Sequence, residues 1–248
     1  MEKSRSGINS IQPLSSGDYS EKPYSKKSRR NPPIAVLFDM DGLLLDTERI
    51  ARESTRVTAL TLGHSIPDAL AMRMIGLGSD ELSRVFIEEL GAQFPFAEYQ
   101  LLWNAKYREM LALGIPIRPG VTEALTALRA LGVSCAVATS THTPHARHKL
   151  EQAGILAHFD VVVGRDAVAR GKPAPDLYLH AADRLGVDVT QCWAFEDSLP
   201  GLTAAVASGA RTHWVPDLAH IHAHELPSGV ETIESLHAIC EWLRTDSK

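Results

Sequence analysis

Asp39 and Asp41 stand two residues apart in the stretch IAVLFDMDGLLLDTE, directly after an apolar run at 34–38. Ionised carboxylates at the end of a buried strand are costly unless a cation or a dense set of hydrogen bonds offsets them. The rest of the chain supplies candidates. Thr139, Ser140 and Thr141 follow CAVA, Lys172 sits inside GKPAPD, and Glu196 and Asp197 follow CWAF. Carboxylates and hydroxyls without His or Cys are hard oxygen donors, the kind that suits Mg²⁺. A bound phosphate would give the ion a further oxygen ligand, while a lysine, hydroxyls and backbone N–H groups hold its other oxygens. By composition this is a site for phosphoryl transfer.

Such residues must be brought together by the elements between them. The 34–38 run reads as a buried strand, and 47–113 reads mostly helical, clearest at Asp80–Leu90 and Glu98–Leu111. After the IRPG turn the pattern alternates. Helices are expected at Val121–Leu131, His145–Ala153, Pro175–Leu185, Leu202–Ser208 and Ser235–Leu243. Strands are expected at Val133–Ala138, Asp160–Val163, Cys192–Phe195 and Arg211–Val215. Alternation with short turns predicts an α/β fold: a parallel sheet with helices on both faces. The helical stretch interrupts it, so the expected organisation is a core of 34–46 and 118–248 with a helical cap of 47–117. In open parallel sheets, sites form at the carboxyl ends of the strands. The acids, Thr139 and Lys172 all lie near predicted strand ends.

Composition narrows the classes. A net charge of −5 over 248 residues gives no support for a nucleic-acid partner. Cys135, Cys192 and Cys240 are scattered and lack metal-site spacing, which fits a reduced, cytoplasmic setting. No apolar run reaches the ~20 residues of a membrane span, so no membrane partner is expected, and the chain is taken as a monomer. Residues 1–33 are rich in Ser, Lys, Arg and Pro and read as a disordered extension without a secretory apolar core. Its Lys26, Lys27, Arg29 and Arg30 suit an acidic partner or an address signal.

DxDG, a Thr after the next core strand, GKPxPD and EDSxxG, in that order, resemble the haloacid dehalogenase superfamily over roughly residues 33–240. FDMDGLLLDTE is similar to its helical-cap branch, which includes β-phosphoglucomutases and pseudouridine-5'-phosphatases. The resemblance implies a Rossmann-like core and assigns roles. Asp39 matches the nucleophile that becomes an aspartyl-phosphate. Asp41 matches the general acid and base, a role that contributes on the order of 10²–10⁴-fold. Asp39, Asp41 through its backbone carbonyl, Glu196 and Asp197 match the Mg²⁺ ligands. Thr139 and Lys172 match the phosphate clamp, with Ser140 beside them. Gly42 would give a tight turn where a side chain crowds the substrate.

Other readings are weaker. An EF-hand loop counted from Asp39 needs Gly at position six and Glu at twelve, where Leu44 and Ile50 stand. A phosphoacceptor receiver is about half this length. A silent binding module is disfavoured by the complete acid set. Ser140 and Thr141 suit either phosphate binding or capping of the next helix. His142 is near enough to touch substrate, while His145 and His148 are expected to be exposed. His220, His222 and His224 alternate, so on a strand they would share a face, but a surface loop is the simpler expectation.

The cap loop at 74–82 should face the site, with Gly76, Leu77, Gly78 and Ser79 toward substrate. It has no Lys or Arg to hold a second phosphate, and Arg73 precedes it. This favours hydrolysis of a small phosphorylated metabolite, a sugar phosphate or a nucleotide-related one, over a mutase.

Overall fold

A computed structural model of the chain describes residues 31–74, 79–218 and 221–244. Six parallel strands form one sheet in the order β3-β2-β1-β4-β5-β6. They are β1 (Ala35–Phe38), β2 (Ser134–Ala138), β3 (Val161–Val163), β4 (Cys192–Glu196), β5 (Arg211–Trp214) and β6 (Glu231–Thr232). β1 is central because it has no polar residue to expose: all four of its side chains are fully buried. Val36 and Phe38 point to one face and Ala35 and Leu37 to the other, as the two-residue period of a strand requires.

Helices cover both faces. On the Phe38 side lie α5 (Val121–Ala130), α6 (Thr143–Gln152) and α9 (His237–Leu243); on the Leu37 side lie α7 (Asp176–Leu185) and α8 (Leu199–Ser208). Phe38 is level with Val137 and Phe195, so the residues after β1, β2 and β4 emerge together at one edge.

Between β1 and α5 the chain makes α1 (Thr47–Thr61), α2 (Asp68–Arg73), α3 (Ser79–Leu90) and α4 (Phe96–Ala112). This insert has its own apolar cluster, in which Phe86 packs on Phe94 and Tyr99 at ring separations of 4.6 and 4.4 Å. Its two ends are held together. The Asp46 N–H donates to the Pro116 carbonyl at 2.8 Å, the Arg118 N–H to the Leu44 carbonyl at 3.0 Å, and Leu45 bridges Ile117 in antiparallel fashion.

Two details depart from the sequence reading. α6 begins at Thr143 rather than His145, because the Asp166 carboxylate accepts from both the N–H and the hydroxyl of Thr143 (2.6 and 2.9 Å). Neither Ser140 nor Thr141 caps it. Strand β6 went unread since two residues carry no periodic signal. As expected, His222 and His224 lie in an exposed loop rather than on a strand, with rings stacked at 5.5 Å; His220 lies outside the described residues. No helix among the described residues is long and apolar enough to cross a membrane.

Candidate active site

Asp39 leaves β1 with its N–H bound to the Phe195 carbonyl at 3.1 Å, and only 6% of the residue is exposed. Lys172, from the segment before α7, places its ammonium between Asp39 Oδ1 and Glu196 Oε1, the latter at 2.5 Å. Its side chain is 5% exposed. Glu196 is fully buried and heavily bonded. Its Oε1 also accepts from the Tyr178 hydroxyl at 2.7 Å. Its Oε2 accepts from the N–H groups of Asp197 and Ser198 and from the Ser198 hydroxyl, at 3.1 to 3.2 Å. Ser198 in turn caps α8 by accepting from the Gly201 N–H at 3.2 Å. Glu196 therefore fixes Lys172 beside Asp39.

Two glycines make this possible. A Cβ on Gly201 would lie 1.8 Å from Glu196 Oε1. Gly42 has φ of +87°, and its Cβ would fall 2.2 Å from Asp197 Oδ2. What a side chain at Gly42 meets is thus the Asp197 carboxylate, not the substrate space expected from sequence.

Carboxylate oxygens of Asp39, Glu196 and Asp197 lie within 4.8 Å of one another. Burial pushes Asp39 up to about 8 despite the pull of Lys172. Burial, reinforced by Asp39 and Glu196, raises Asp197 well above the carboxylate range. One lysine against three acids leaves a deficit of positive charge, and all the ligand atoms are oxygens. The residues fit a hard divalent cation.

Asp41 behaves oppositely. Its Oδ1 accepts from Thr47 Oγ1 at 2.9 Å and Lys149 Nζ at 2.7 Å, and its Oδ2 from Thr141 Oγ1 at 2.7 Å. Burial alone would raise its pKa, but Lys149 and the two hydroxyls outweigh that and lower it. Asp41 is not one of the three grouped acids, and both its carboxylate oxygens are engaged by Thr47, Thr141 and Lys149. Without a cation, two carboxylates two residues apart thus have proton affinities driven in opposite directions: burial favours the protonated form of Asp39, while Lys149 and the hydroxyls favour the ionised form of Asp41.

The remaining sequence-named residues are placed as follows. Thr139 is buried at the end of β2, and its hydroxyl accepts from the Thr141 N–H at 3.1 Å. Ser140 is exposed and makes no side-chain hydrogen bond among the described residues. His142 is exposed just before α6. Gly76, Leu77 and Gly78, and the side chain of Ser79, lie outside what the structure describes.

Residues 35–209 match the family model for haloacid dehalogenase-like hydrolases. The chain belongs to that family. It is 33% identical over 175 residues to a phosphorylated carbohydrates phosphatase of Thermotoga maritima, covering 71% of this chain and 81% of the relative. It is 34% identical over 188 residues to a protein named "probable pseudouridine-5'-phosphatase" from Drosophila melanogaster, covering 73% and 80%. Among solved structures, one from Thermotoga maritima, provisionally named a β-phosphoglucomutase, superposes with a TM-score of 0.72 at 30% identity, covering 83% of this chain and 95% of that one. The chain is an enzyme of the phosphatase type within these hydrolases.

Sequence reasoning missed several residues around the candidate site. Lys149 lies in the polar helix TPHARHKLEQ, whose Ala146 and Leu150 face the core. Tyr178 lies on the buried stripe of α7 with Leu177, Ala181 and Ala182, where a phenol needs a partner. Asp217 follows β5, the position where strand-end residues were sought. It is salt-bridged to Arg118 at 2.6 Å and forms a second acid trio with Glu48 and Asp197. Burial and then Asp217 push Glu48 up to about 7.

Proposed function

We propose that this hydrolase cleaves small phosphomonoesters with Mg²⁺ and through an aspartyl-phosphate on Asp39. The observation that carries the reading is the buried Asp39–Lys172–Glu196 group with Asp197 beside it: a nucleophile, a fixed cation and an oxygen-only ligand set in one place. The names of the relatives point the same way, toward phosphorylated sugars and nucleosides.

In this reading Asp39 attacks phosphorus, and Lys172 and Thr139 hold phosphoryl oxygens. Asp41 protonates the departing alkoxide and then takes a proton from the water that splits the acyl phosphate. Asp39, Asp197 and the Asp41 carbonyl would hold Mg²⁺, with Glu196 beside them committed mainly to Lys172. Bound there, the ion would neutralise the acids and polarise a phosphoryl oxygen.

The test is phosphate release by purified protein from sugar phosphates, nucleoside monophosphates and pseudouridine 5'-phosphate, with Mg²⁺ and with EDTA. Metal-dependent release is expected. The second reading, a mutase, is favoured by the likeness to the provisionally named phosphoglucomutase. It predicts isomerised sugar phosphate in place of free phosphate.

Two further outcomes are expected. Lys149→Met should move the acidic limb of the kcat profile to higher pH, because removing the cation raises the proton affinity of Asp41. An unmoved limb would show that Lys149 does not tune it. Mg²⁺ should also raise Tm, and more at pH 8 than at pH 5.5. Asp39 and Asp197 have raised folded-state pKa values, so without metal the fold holds extra protons and loses stability as pH rises from about 4 toward 8. Cation binding removes that penalty. A thermal shift independent of pH would mean that the ion binds elsewhere.

A further inference from the structure

A cavity of about 450 Å³ opens between α4 of the insert and α6 of the core. Thr141 and Lys149 line it, and both also hold Asp41. Its near end therefore abuts the group that, in the proposed function, protonates the leaving oxygen. Whatever is attached to that oxygen extends into this space.

The lining has a definite charge. None of its residues is acidic, while Arg108, His145 and His148, each open to solvent, line it. The charge of Lys149 is matched by Asp41, but Arg108 and the two imidazoles have no ion-pair or hydrogen-bond partner among the described residues. Asn104 and Gln152 add further amide donors. One side is walled by the Trp103 and Tyr107 rings, stacked at 4.8 Å. A guanidinium with no acid partner, beside neutral donors and an aromatic wall, matches a carboxylate or phosphate better than a neutral polyol.

We propose that the leaving group of the physiological substrate carries a second anionic group, held in this cavity with Arg108 as its principal contact. The inference rests on the phosphatase reading above and narrows its substrate class to phosphomonoesters with a carboxylate or a second phosphate. It places the second-anion clamp on α4 rather than on the cap loop, whose sequence has no basic residue.

The experiment compares kcat/KM for 3-phosphoglycerate, fructose 1,6-bisphosphate and neutral-leaving-group glycerol 3-phosphate and 4-nitrophenyl phosphate, in wild type, Arg108→Ala and Arg108→Lys. Charge-assisted hydrogen bonds contribute about 1.5–3 kcal/mol. The ratio of the best dianionic substrate to the neutral esters is therefore expected to fall about 10–100-fold in Arg108→Ala, mainly through KM, with partial recovery in Arg108→Lys. The first two substrates separate carboxylate from phosphate, and a preference for either supports the proposal. An unchanged ratio in Arg108→Ala, or a wild type that prefers the neutral esters, overturns it while leaving the phosphatase reading intact. No phosphate release from any ester by folded protein with Mg²⁺ overturns that reading, and this proposal with it.

Discussion

Asp39→Asn is expected to cut phosphate release by on the order of 10⁴–10⁶-fold, the scale seen when an enzyme nucleophile is removed. The fold should survive. The amide keeps the shape of the carboxyl and can still accept from Lys172, and it removes a charge that burial disfavours, so Tm without metal should hold or rise. Acid-quenched wild type incubated with labelled substrate should carry covalent phosphate, and the variant should carry none. The increase in Tm caused by Mg²⁺ should shrink as well, because one anionic ligand is gone. An Asp39→Asn variant that still turned over would sink the covalent mechanism, whatever its metal dependence.

Lys172→Ala has the second-largest expected effect, and it acts on two properties at once. Activity should fall by about 10³-fold through loss of the charge that holds the phosphoryl group. Stability should fall by about 3–5 kcal/mol, since removing one partner leaves buried Asp39 and Glu196 without their cation. The two losses separate by pH and by metal. The stability loss should be smaller at pH 5 than at pH 8, since the raised acids are protonated in the fold at low pH, and Mg²⁺ should recover part of it. Activity should not return under either condition. Normal turnover would take Lys172 out of the site, and an unchanged Tm would mean that the acids do not depend on it.

Much of this site was legible because its residues follow the ends of apolar strands, where a sequence changes character abruptly. Asp39 after AVLF, Thr139 after CAVA and Glu196 closing CWAFE are of this kind, and the strand order brings them to one edge. The sheet and its alternating helices were legible for the same reason. Lys149, Tyr178, Glu48 and Asp217 were not, because their roles depend on what they meet. A lysine in the second half of a polar helix is ordinary until Asp41 lies 2.7 Å away. The division of labour between Glu196 and Asp197 was equally hidden. Adjacent acids read alike, yet the donors of Ser198, Tyr178 and Lys172 converge on Glu196. The start of α6 was misread since its cap comes from Asp166, a residue distant in sequence.

The antiparallel bridge of Leu45 to Ile117, with the bonds from Asp46 to Pro116 and from Arg118 to Leu44, has a consequence for how such an enzyme diversifies. The core closes its own seam across the point where the insert leaves and returns. From the sheet's side, everything beyond that seam is a single loop, and loop-closure cost rises only logarithmically with length. The insert is accordingly an exchangeable part. Its helices can be lengthened, shortened or replaced with little disturbance to Asp39 and Lys172, so substrate preference and catalytic chemistry are free to change at different rates.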